Sequence, residues 1–396
     1  MILNLKKLLL YIPVTWLILI LLSHLNPWSK FSLYRISYKS YKKDYAKLAQ
    51  SATISKKHLE KWLSNRSNEN LVFNLNTTNY LCVGVISKNR IGTEVNYVKE
   101  ALMSIIARVS FSKKDKIRLV GFNVEPNSSD NKHLLEFNNL IRIENITSGL
   151  KNQQSKVIET LDYSYCMKYF TNLKCKYSLL VEDDALFAEN WFDILDKEMV
   201  KIQNSNKWLM LKLFTGIIFF NDDWAQLEYP MIILKVILYA IVLAALEIYF
   251  LKLMCKHISI LFICILLLNS GYQAYFLNSS STVPFGKGIR VQRTGFGSVA
   301  VLYPNQHLSA LSEYLESSVL KFVNKKSNYV EPKDILMERY RRENKLDEII
   351  IEPSLVQHTG FYSSLEQKNP TYSNFHKMFK SLTFADDLKT IKFNWK

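Results

Sequence analysis

The sequence predicts an α/β fold with a mainly parallel sheet. Short apolar runs rich in β-branched residues alternate with segments whose apolar residues recur at helical spacing, which is the pattern of βαβ units. The clearest strands are YLCVGVIS, KIRLVGFNVEP and KYSLLVEDD, and LIRIENI is compatible with a further short strand. VNYVKEALMSIIARV and SKVIETLDYSYCMKYFTNL are the predicted helices between them.

The second half of the chain supplies further elements of the same kinds. WLMLKLFTGIIFF predicts a strand or a strand pair, and GIRVQRTGFGSVAVLYP predicts one or two strands. NQHLSALSEYLESSVLKFV and PKDILMERYRRENK are helical in pattern, and DEIIIEPSLVQHTGFYSSL predicts a strand followed by an irregular loop. Neither half has an obvious core of its own, so we expect both to build one domain.

Three stretches are apolar enough to be membrane segments: Leu8–Leu22, Pro230–Phe250 and Ile258–Leu277. Lys6 and Lys7 precede the first stretch, so we expect a cytosolic N-terminus followed by a lumenal chain. A cleaved signal peptide is the alternative, but no small-x-small cleavage site follows, which favours an uncleaved anchor. Its shortness suits a thin membrane of the early secretory pathway.

The second and third stretches are joined by LKLMCKH, a short basic turn. This arrangement predicts a transmembrane hairpin whose turn is cytosolic. A pair of buried helices is the alternative, which two runs of this length disfavour.

The sequons and cysteines bear on the compartment. Sequons for N-glycosylation all fall outside the three stretches, on the predicted lumenal side: Asn65, Asn76, Asn127, Asn145 and Asn278, the last too close to the third stretch for ready use. Cys82, Cys166 and Cys175 are the cysteines outside the hairpin. The Cys166–Cys175 pair is the nearest disulfide candidate, although connectivity stays open from sequence.

The formal net charge of +16 favours anionic partners, such as nucleotide-sugar diphosphates or phospholipid headgroups. The basic residues are spread along the chain without a dense Lys/Arg block. A nucleic-acid partner is excluded by this spread and by the predicted lumenal location.

The sharpest chemical signal is LLVEDDALF, in which Glu182, Asp183 and Asp184 end a buried strand. Ligands bind beyond the carboxyl ends of strands in open α/β sheets. Adjacent carboxylates repel each other unless a cation compensates them, and hard divalent cations bridge oxygen ligands to phosphates. An acidic turn after a strand is the plain alternative. Asp222 and Asp223 lack such a strand and are interpreted as an interfacial cap.

The order of anchor, α/β domain and Glu-Asp-Asp motif resembles a type A glycosyltransferase, whose Rossmann-like mixed sheet would here be split by a transmembrane hairpin. With the three spans and the closing VQHTGFYSSL, the chain from Leu8 to about Leu365 resembles the Golgi GPI-glycan N-acetylgalactosaminyltransferases of the post-GPI-attachment family. VQHTGFYSSL is also similar to the tail of the N-glycan branching N-acetylglucosaminyltransferases, but those enzymes have a single anchor.

The resemblance implies an inverting, Mn²⁺-dependent hexosyltransferase of the Golgi membrane. UDP-GalNAc would be the donor, and a mannose of the GPI glycan on GPI-anchored proteins would be the acceptor at the lipid bilayer. A transferase for protein-linked glycans, or a non-catalytic GPI-binding scaffold on the same fold, are the alternatives.

An inverting transfer needs a general base. Asp334, which opens a helix after the strand pair, is the candidate, and Glu338 is the reserve; an ordinary first-turn acid is the plain alternative. His358 is a candidate metal or diphosphate ligand beside Glu182, Asp183 and Asp184. Ser363 and Ser364 are candidate phosphate contacts, with a turn cap as the alternative. Gly295 and Gly297 are candidate sites of close approach to a sugar, although a plain strand bend is favoured.

The predicted organisation follows. Residues 1–25 are the cytosolic tail and anchor, 26–75 a lumenal stem with some helix, 76–228 and 278–370 the two parts of the catalytic domain, 229–277 the hairpin and 371–396 a C-terminal tail.

Overall fold

The computed structural model describes much of the chain between residues 80 and 359. The described residues are 16–17, 21, 50, 52–54, 56–57, 60–61, 80–89, 97–109, 111–125, 127–148, 154–214, 241, 245, 249, 269, 288–292, 297–324, 330–352 and 354–359.

Ten strands and six α-helices make up this part. The strands are β1 Leu81–Ser87, β2 Ile117–Asn123, β3 Arg142–Asn145, β4 Tyr177–Glu182, β5 Ala185–Phe187, β6 Trp208–Lys212, β7 Gly288–Gln292, β8 Ala300–Pro304, β9 Asp347–Glu352 and β10 Val356–His358. The helices are α1 Tyr97–Ala107, α2 Lys132–Leu135, α3 Ser155–Leu173, α4 Trp191–Met199, α5 Asn305–Asn324 and α6 Lys333–Glu343.

Eight of the strands form one mixed sheet, in the order β3-β2-β1-β4-β8-β6-β9-β7. The predicted α/β class is therefore confirmed. The strands β3, β2, β1 and β4 are parallel neighbours, whereas β8 lies antiparallel between β4 and β6, and β7 lies antiparallel to β9. The sheet is accordingly mixed, and less parallel than βαβ spacing alone suggests.

Helices cover both faces of the sheet, which explains why its central strands are apolar on both sides. On one face the core includes Val83 and Val181 with Leu102 of α1 and Trp191 of α4. On the other face, apolar residues of β1, β4 and β8 pack against α3, α5 and α6. Next to the carboxyl ends of β1, β2 and β4 lies a cavity, which is lined by Ile86, Val124 and Glu182.

β5 and β10 form a second, antiparallel sheet that pairs Ala185 with His358. The sequence predicts an irregular loop in place of β10 and no strand directly after the acidic triplet. Both strands have only three residues, which is too short for a periodic signal.

The chain divides into two compact units. One comprises residues 1–37 and 217–286, and the other, which contains both sheets, comprises residues 38–216 and 287–396. β6 and β7 lie on opposite sides of the 217–286 interval and belong to the same sheet, so the larger unit is discontinuous in sequence.

The three predicted membrane stretches lie almost wholly outside the described residues. Across the described part of the chain, no helix has both the length and the apolar character that a membrane crossing requires. In the smaller unit, the indole Nε1 of Trp16 donates a hydrogen bond to Asn269 Oδ1 at 3.0 Å, and both residues are helical. At this point the first and third stretches are in contact.

Part of the predicted stem packs on the larger unit. Ala52, Thr53 and Ile54 are helical, and Ala52 is fully buried in the core. The Lys56 ammonium pairs with Glu136 at 3.4 Å and lies 5.1 Å from the centroid of the Phe137 ring. This portion of the stem is therefore docked beside α2 rather than separate from the domain.

The disulfide joins Cys82 to Cys175, which corrects the predicted Cys166–Cys175 pair. β1 and β4 are adjacent parallel strands, and their register places Cys82 opposite Ser178, so the Cα atoms of Cys82 and Cys175 are 5.9 Å apart. Cys166 lies in α3 as a buried thiol in the core. Nearness in sequence was misleading because the helix carries Cys166 away from Cys175.

Removal of the disulfide tests this pairing. The double variant Cys82→Ser, Cys175→Ser should lose about 2–5 kcal/mol of stability, because the bond closes a long loop in the unfolded chain. Thermal unfolding of the purified protein measures the loss, and Cys166→Ala is the matched control with a smaller effect. Labelling of free thiols in the denatured wild type should modify Cys166; a labelled Cys175 would contradict the assignment.

Candidate active site

The acidic triplet lies at the carboxyl end of β4, a central strand of the sheet. β4 is buried along YSLLV and ends at Glu182, and Asp183 and Asp184 form the turn into β5. Asp183 and Asp184 are buried, while Glu182 is half-buried. Carboxylates held this way are costly unless they are paired or coordinate a cation.

β10 brings His358 to the triplet. The His358 Nε2 lies 3.1 Å from Asp184 Oδ2. The backbone amide and the hydroxyl of Thr359 both donate to the Asp184 carbonyl oxygen at 2.8 Å, which fixes the end of β10 against the turn. His358 is therefore positioned by main-chain pairing with Ala185, a residue distant in sequence.

Glu182, Asp184 and His358 can share one cation. One ligand atom from each lies within 4.8 Å of the others. Two carboxylates and an imidazole suit a transition metal such as Mn²⁺, which accepts both oxygen and nitrogen ligands. Asp183 is directed elsewhere: its Oδ2 accepts from the backbone amide of Lys88 at 3.4 Å. The structure thus brings together three of the four predicted metal or donor ligands.

Two donors orient Glu182. The Ser298 hydroxyl donates to Glu182 Oε1 at 2.8 Å, and the Lys333 ammonium donates to the same oxygen at 3.2 Å. Lys333 also contacts Glu159. Burial works to lower the pKa of Lys333, but the charges of Glu159 and Glu182 outweigh burial and raise the pKa, so the ammonium stays charged.

Asp334 lies beside this group. Its Oδ2 accepts from the backbone amide of Gly297 at 3.2 Å. Gly297 has φ +97°, a left-handed conformation that favours glycine, and precedes Ser298. Asp334 follows Lys333 in the first turn of α6, so the base candidate and the acidic cluster share one side of the domain.

Glu338, the reserve base, is engaged in an ion pair. Arg341 donates to both of its oxygens, from Nε at 2.7 Å and from Nη2 at 2.6 Å. The Glu338 carboxylate is buried, so a proton acceptor role would require breaking a bidentate pair.

A cavity of about 90 Å³ opens next to Glu182 and Asp183. Ile86, Lys88 and Val124 line it from the ends of β1 and β2, while Glu159, Asp162 and Tyr163 line it from α3 and Lys333 from α6. Burial raises the pKa of Asp162 to about 6, although the amide of Ser148, 2.7 Å from its Oδ1, works against this rise.

Several predicted site residues lie outside the described residues. These are Gly295, Ser363, Ser364, Asp222 and Asp223, together with the sequons Asn65, Asn76 and Asn278. Asn127 and Asn145 are described, and both are exposed.

Sequence reasoning missed Ser298, Lys333, Glu159 and Asp162. Lys333 precedes the predicted base Asp334, and Ser298 follows the predicted contact residue Gly297. Neither Lys333 nor Ser298 was itself predicted to be part of the site. Glu159 and Asp162 lie on a helix with no distinguishing motif, and only the tertiary fold places them at the cavity.

The family comparison makes this protein a glycosyltransferase, a class whose substrates are a nucleotide-sugar donor and a glycan acceptor. A family model described as GPI-N-acetylgalactosamine transferase PGAP4 matches residues 81–357, and the chain belongs to that family. The match includes Glu182, Asp183, Asp184, Asp334 and all of β1 to β9.

Solved structures give weaker likenesses. Mouse xyloside xylosyltransferase 1 in its apo form is 11% identical, with a TM-score of 0.35, 69% of this chain covered and 85% of that chain. The apo-form glycosyltransferase GlyE of Streptococcus pneumoniae TIGR4 is 8% identical, with a TM-score of 0.30, 68% of this chain covered and 45% of that chain. A comparison with curated proteins gives no match.

Asp162 should make stability depend on pH. The pKa of Asp162 in the folded protein lies above the ordinary 3.8, so the folded state binds the proton more tightly than the unfolded state does. The contribution of Asp162 to folding stability is therefore greatest below about pH 4. This advantage is lost as pH rises through about 6. Asp162→Asn should therefore gain up to about 3 kcal/mol over wild type at pH 8 and little at pH 4.

Thermal unfolding at the two pH values measures the effect. Asp196→Asn is the control with opposite sign, since Tyr80 and Lys116 outweigh burial and lower the Asp196 pKa. A stabilisation by Asp162→Asn that does not vary with pH would contradict the assignment.

His358→Ala should weaken Mn²⁺ binding at least about tenfold, because one of three clustered ligands is lost. Equilibrium titration of the purified protein with Mn²⁺ measures the affinity without any turnover. His133→Ala is the matched control, since His133 also pairs with a carboxylate, Glu136, at 3.4 Å on the surface. An equal Mn²⁺ affinity of wild type and His358→Ala would remove His358 from the site.

Proposed function

We propose that this protein is an inverting, metal-dependent transferase that moves N-acetylgalactosamine from UDP-GalNAc to a mannose of the GPI-anchor glycan. The observation that carries the proposal is the cluster of Glu182, Asp184 and His358 at the carboxyl end of β4, within a chain of the PGAP4 family. The family description supports N-acetylgalactosamine as the transferred sugar and a GPI glycan as the acceptor.

Glu182, Asp184 and His358 would hold the divalent metal, for which Mn²⁺ is the proposed identity. The metal supplies positive charge to the diphosphate of the donor. Ser298 and Lys333 keep the Glu182 carboxylate oriented through Oε1, and Thr359 anchors the turn that carries Asp184. These contacts preorganise the ligands before substrate arrives.

Asp334 is the proposed general base. Its carboxylate accepts the proton of the acceptor hydroxyl as that oxygen attacks the anomeric carbon. The bond between the anomeric carbon and the diphosphate oxygen breaks on the opposite face, and its electron pair leaves with UDP. The amide of Gly297 holds Asp334 Oδ2 in place during this transfer. With Glu338 tied to Arg341, Asp334 is the better placed of the two acids.

We place the enzyme in the Golgi membrane with three spans, a cytosolic N-terminus and a lumenal catalytic domain. The apolar stretches, including the hairpin at 229–277, support this topology, as does the contact between Trp16 and Asn269. The Cys82–Cys175 disulfide and the exposed sequons Asn127 and Asn145 support an oxidising, glycosylating compartment. A GPI acceptor is itself a lipid, so membrane attachment raises the local concentration of enzyme and acceptor.

A complementation experiment tests the function. Cells that lack the GPI side-chain transferase receive wild type, Asp184→Asn or Asp334→Asn, and released GPI glycans are weighed by mass spectrometry. Wild type should add one N-acetylhexosamine to a mannose, Asp334→Asn should lower the product by at least about 100-fold as expected for a general base, and Asp184→Asn should lower it comparably.

Glu343→Gln is the matched control, an exposed acid in the last turn of the same helix as Asp334, and should leave the product unchanged. Glycans that stay unmodified in cells expressing folded, Golgi-localised wild type would overturn the GPI acceptor. Full product from Asp334→Asn would overturn only the base.

A further inference from the structure

Lys333 is a buried cation at the wall of the site cavity. It is the first residue of α6, and its side chain is 7% exposed. Its ammonium contacts Glu159 and Glu182, and it lies 5.2 Å from the centroid of the Tyr163 ring. These contacts fix the ammonium in one place against the cavity.

The ammonium has a donor to spare. A lysine ammonium carries three N–H donors. Glu159 and Glu182 accept from Nζ, which accounts for two of them. Lys333 lines the cavity, so the third donor is the one that a ligand entering there would engage.

The cavity otherwise repels anions. Its described walls carry the acids Glu159, Asp162, Glu182 and Asp183, against the basic residues Lys88 and Lys333. A polyanion that binds here needs a fixed positive charge close to Glu182. Lys333 meets this condition best, because its Nζ is 3.2 Å from Glu182 Oε1 and its position is set by three neighbours.

We propose that Lys333 binds the diphosphate of the nucleotide-sugar donor through its third N–H. This inference rests on the proposed function and deepens it. When the bond from the anomeric carbon to the diphosphate oxygen breaks, the electron pair goes to that oxygen, and the Lys333 N–H hydrogen bond to the diphosphate compensates the new charge. The proton stays on Nζ throughout. A charge-assisted bond in a water-poor site is strong enough to matter for both binding and departure.

The competing role is purely structural, in which Lys333 only positions Glu182. The two roles predict different effects of a Lys333 substitution on binding. If Lys333 contacts the diphosphate, its loss weakens the affinity for UDP but not for uridine. If Lys333 only positions Glu182, its loss changes the affinities for UDP and uridine by the same factor.

The test measures UDP and uridine binding to the full-length protein in detergent, in EDTA so that metal does not contribute. Lys333→Met should weaken UDP binding about tenfold and leave uridine binding within about twofold, since one charge-assisted bond is lost. Lys333→Arg, which keeps the charge, should retain most of the UDP affinity. Thermal unfolding of each variant confirms that it is folded.

Lys168→Met is the matched control. Lys168 also pairs with a glutamate, Glu316, and lies 5.6 Å from a tyrosine ring, Tyr165, yet it does not line the cavity. The Lys168→Met variant should bind UDP and uridine with the same affinities as wild type. A Lys333→Met protein that binds UDP like wild type, or that loses UDP and uridine equally, overturns the inference and spares the proposed function. Wild type that binds no UDP in EDTA overturns the inference alone, whereas wild type that binds no UDP after Mn²⁺ is added overturns the proposed function as well.

Discussion

Charge compensation at the carboxyl end of β4 is the constraint on which the site depends. Glu182 clusters with Asp184 and lines one cavity with Glu159, and like charges this close raise the free energy of the folded state unless cations or donors face them. Lys333 and Ser298 face Glu182, and His358 faces Asp184. The same constraint makes the position attractive to a divalent metal and hence to a diphosphate.

These compensating groups come from the far part of the chain. Glu182 and Asp184 precede the 217–286 interval, whereas Ser298, Lys333 and His358 follow it. β8 and β9 insert into the sheet beside β4 and β6, and this pairing carries the later residues to the earlier carboxylates. Neither part of the sheet-bearing unit therefore forms the site alone.

The sequence predicted what local patterns encode. The segments of β1, β2 and β4 are apolar enough to be predicted as buried strands. The acidic triplet is recognisable as a candidate site because its charged residues directly follow such a strand. The predicted Cys166–Cys175 disulfide was wrong because the adjacency of β1 and β4, rather than distance in sequence, places Cys82 beside Cys175. β10 and the role of Lys333 were not predictable, since a three-residue strand and a helix-opening lysine acquire meaning only from pairings over 150 residues away.

A structure of the full-length protein with Mn²⁺ and UDP, in which the anomalous signal locates the metal, would decide whether this cluster is the metal and donor site. We predict one anomalous peak bound by Glu182, Asp184 and His358, with the UDP diphosphate between that peak and Lys333. A peak elsewhere, or a diphosphate bound away from the end of β4, would contradict this assignment.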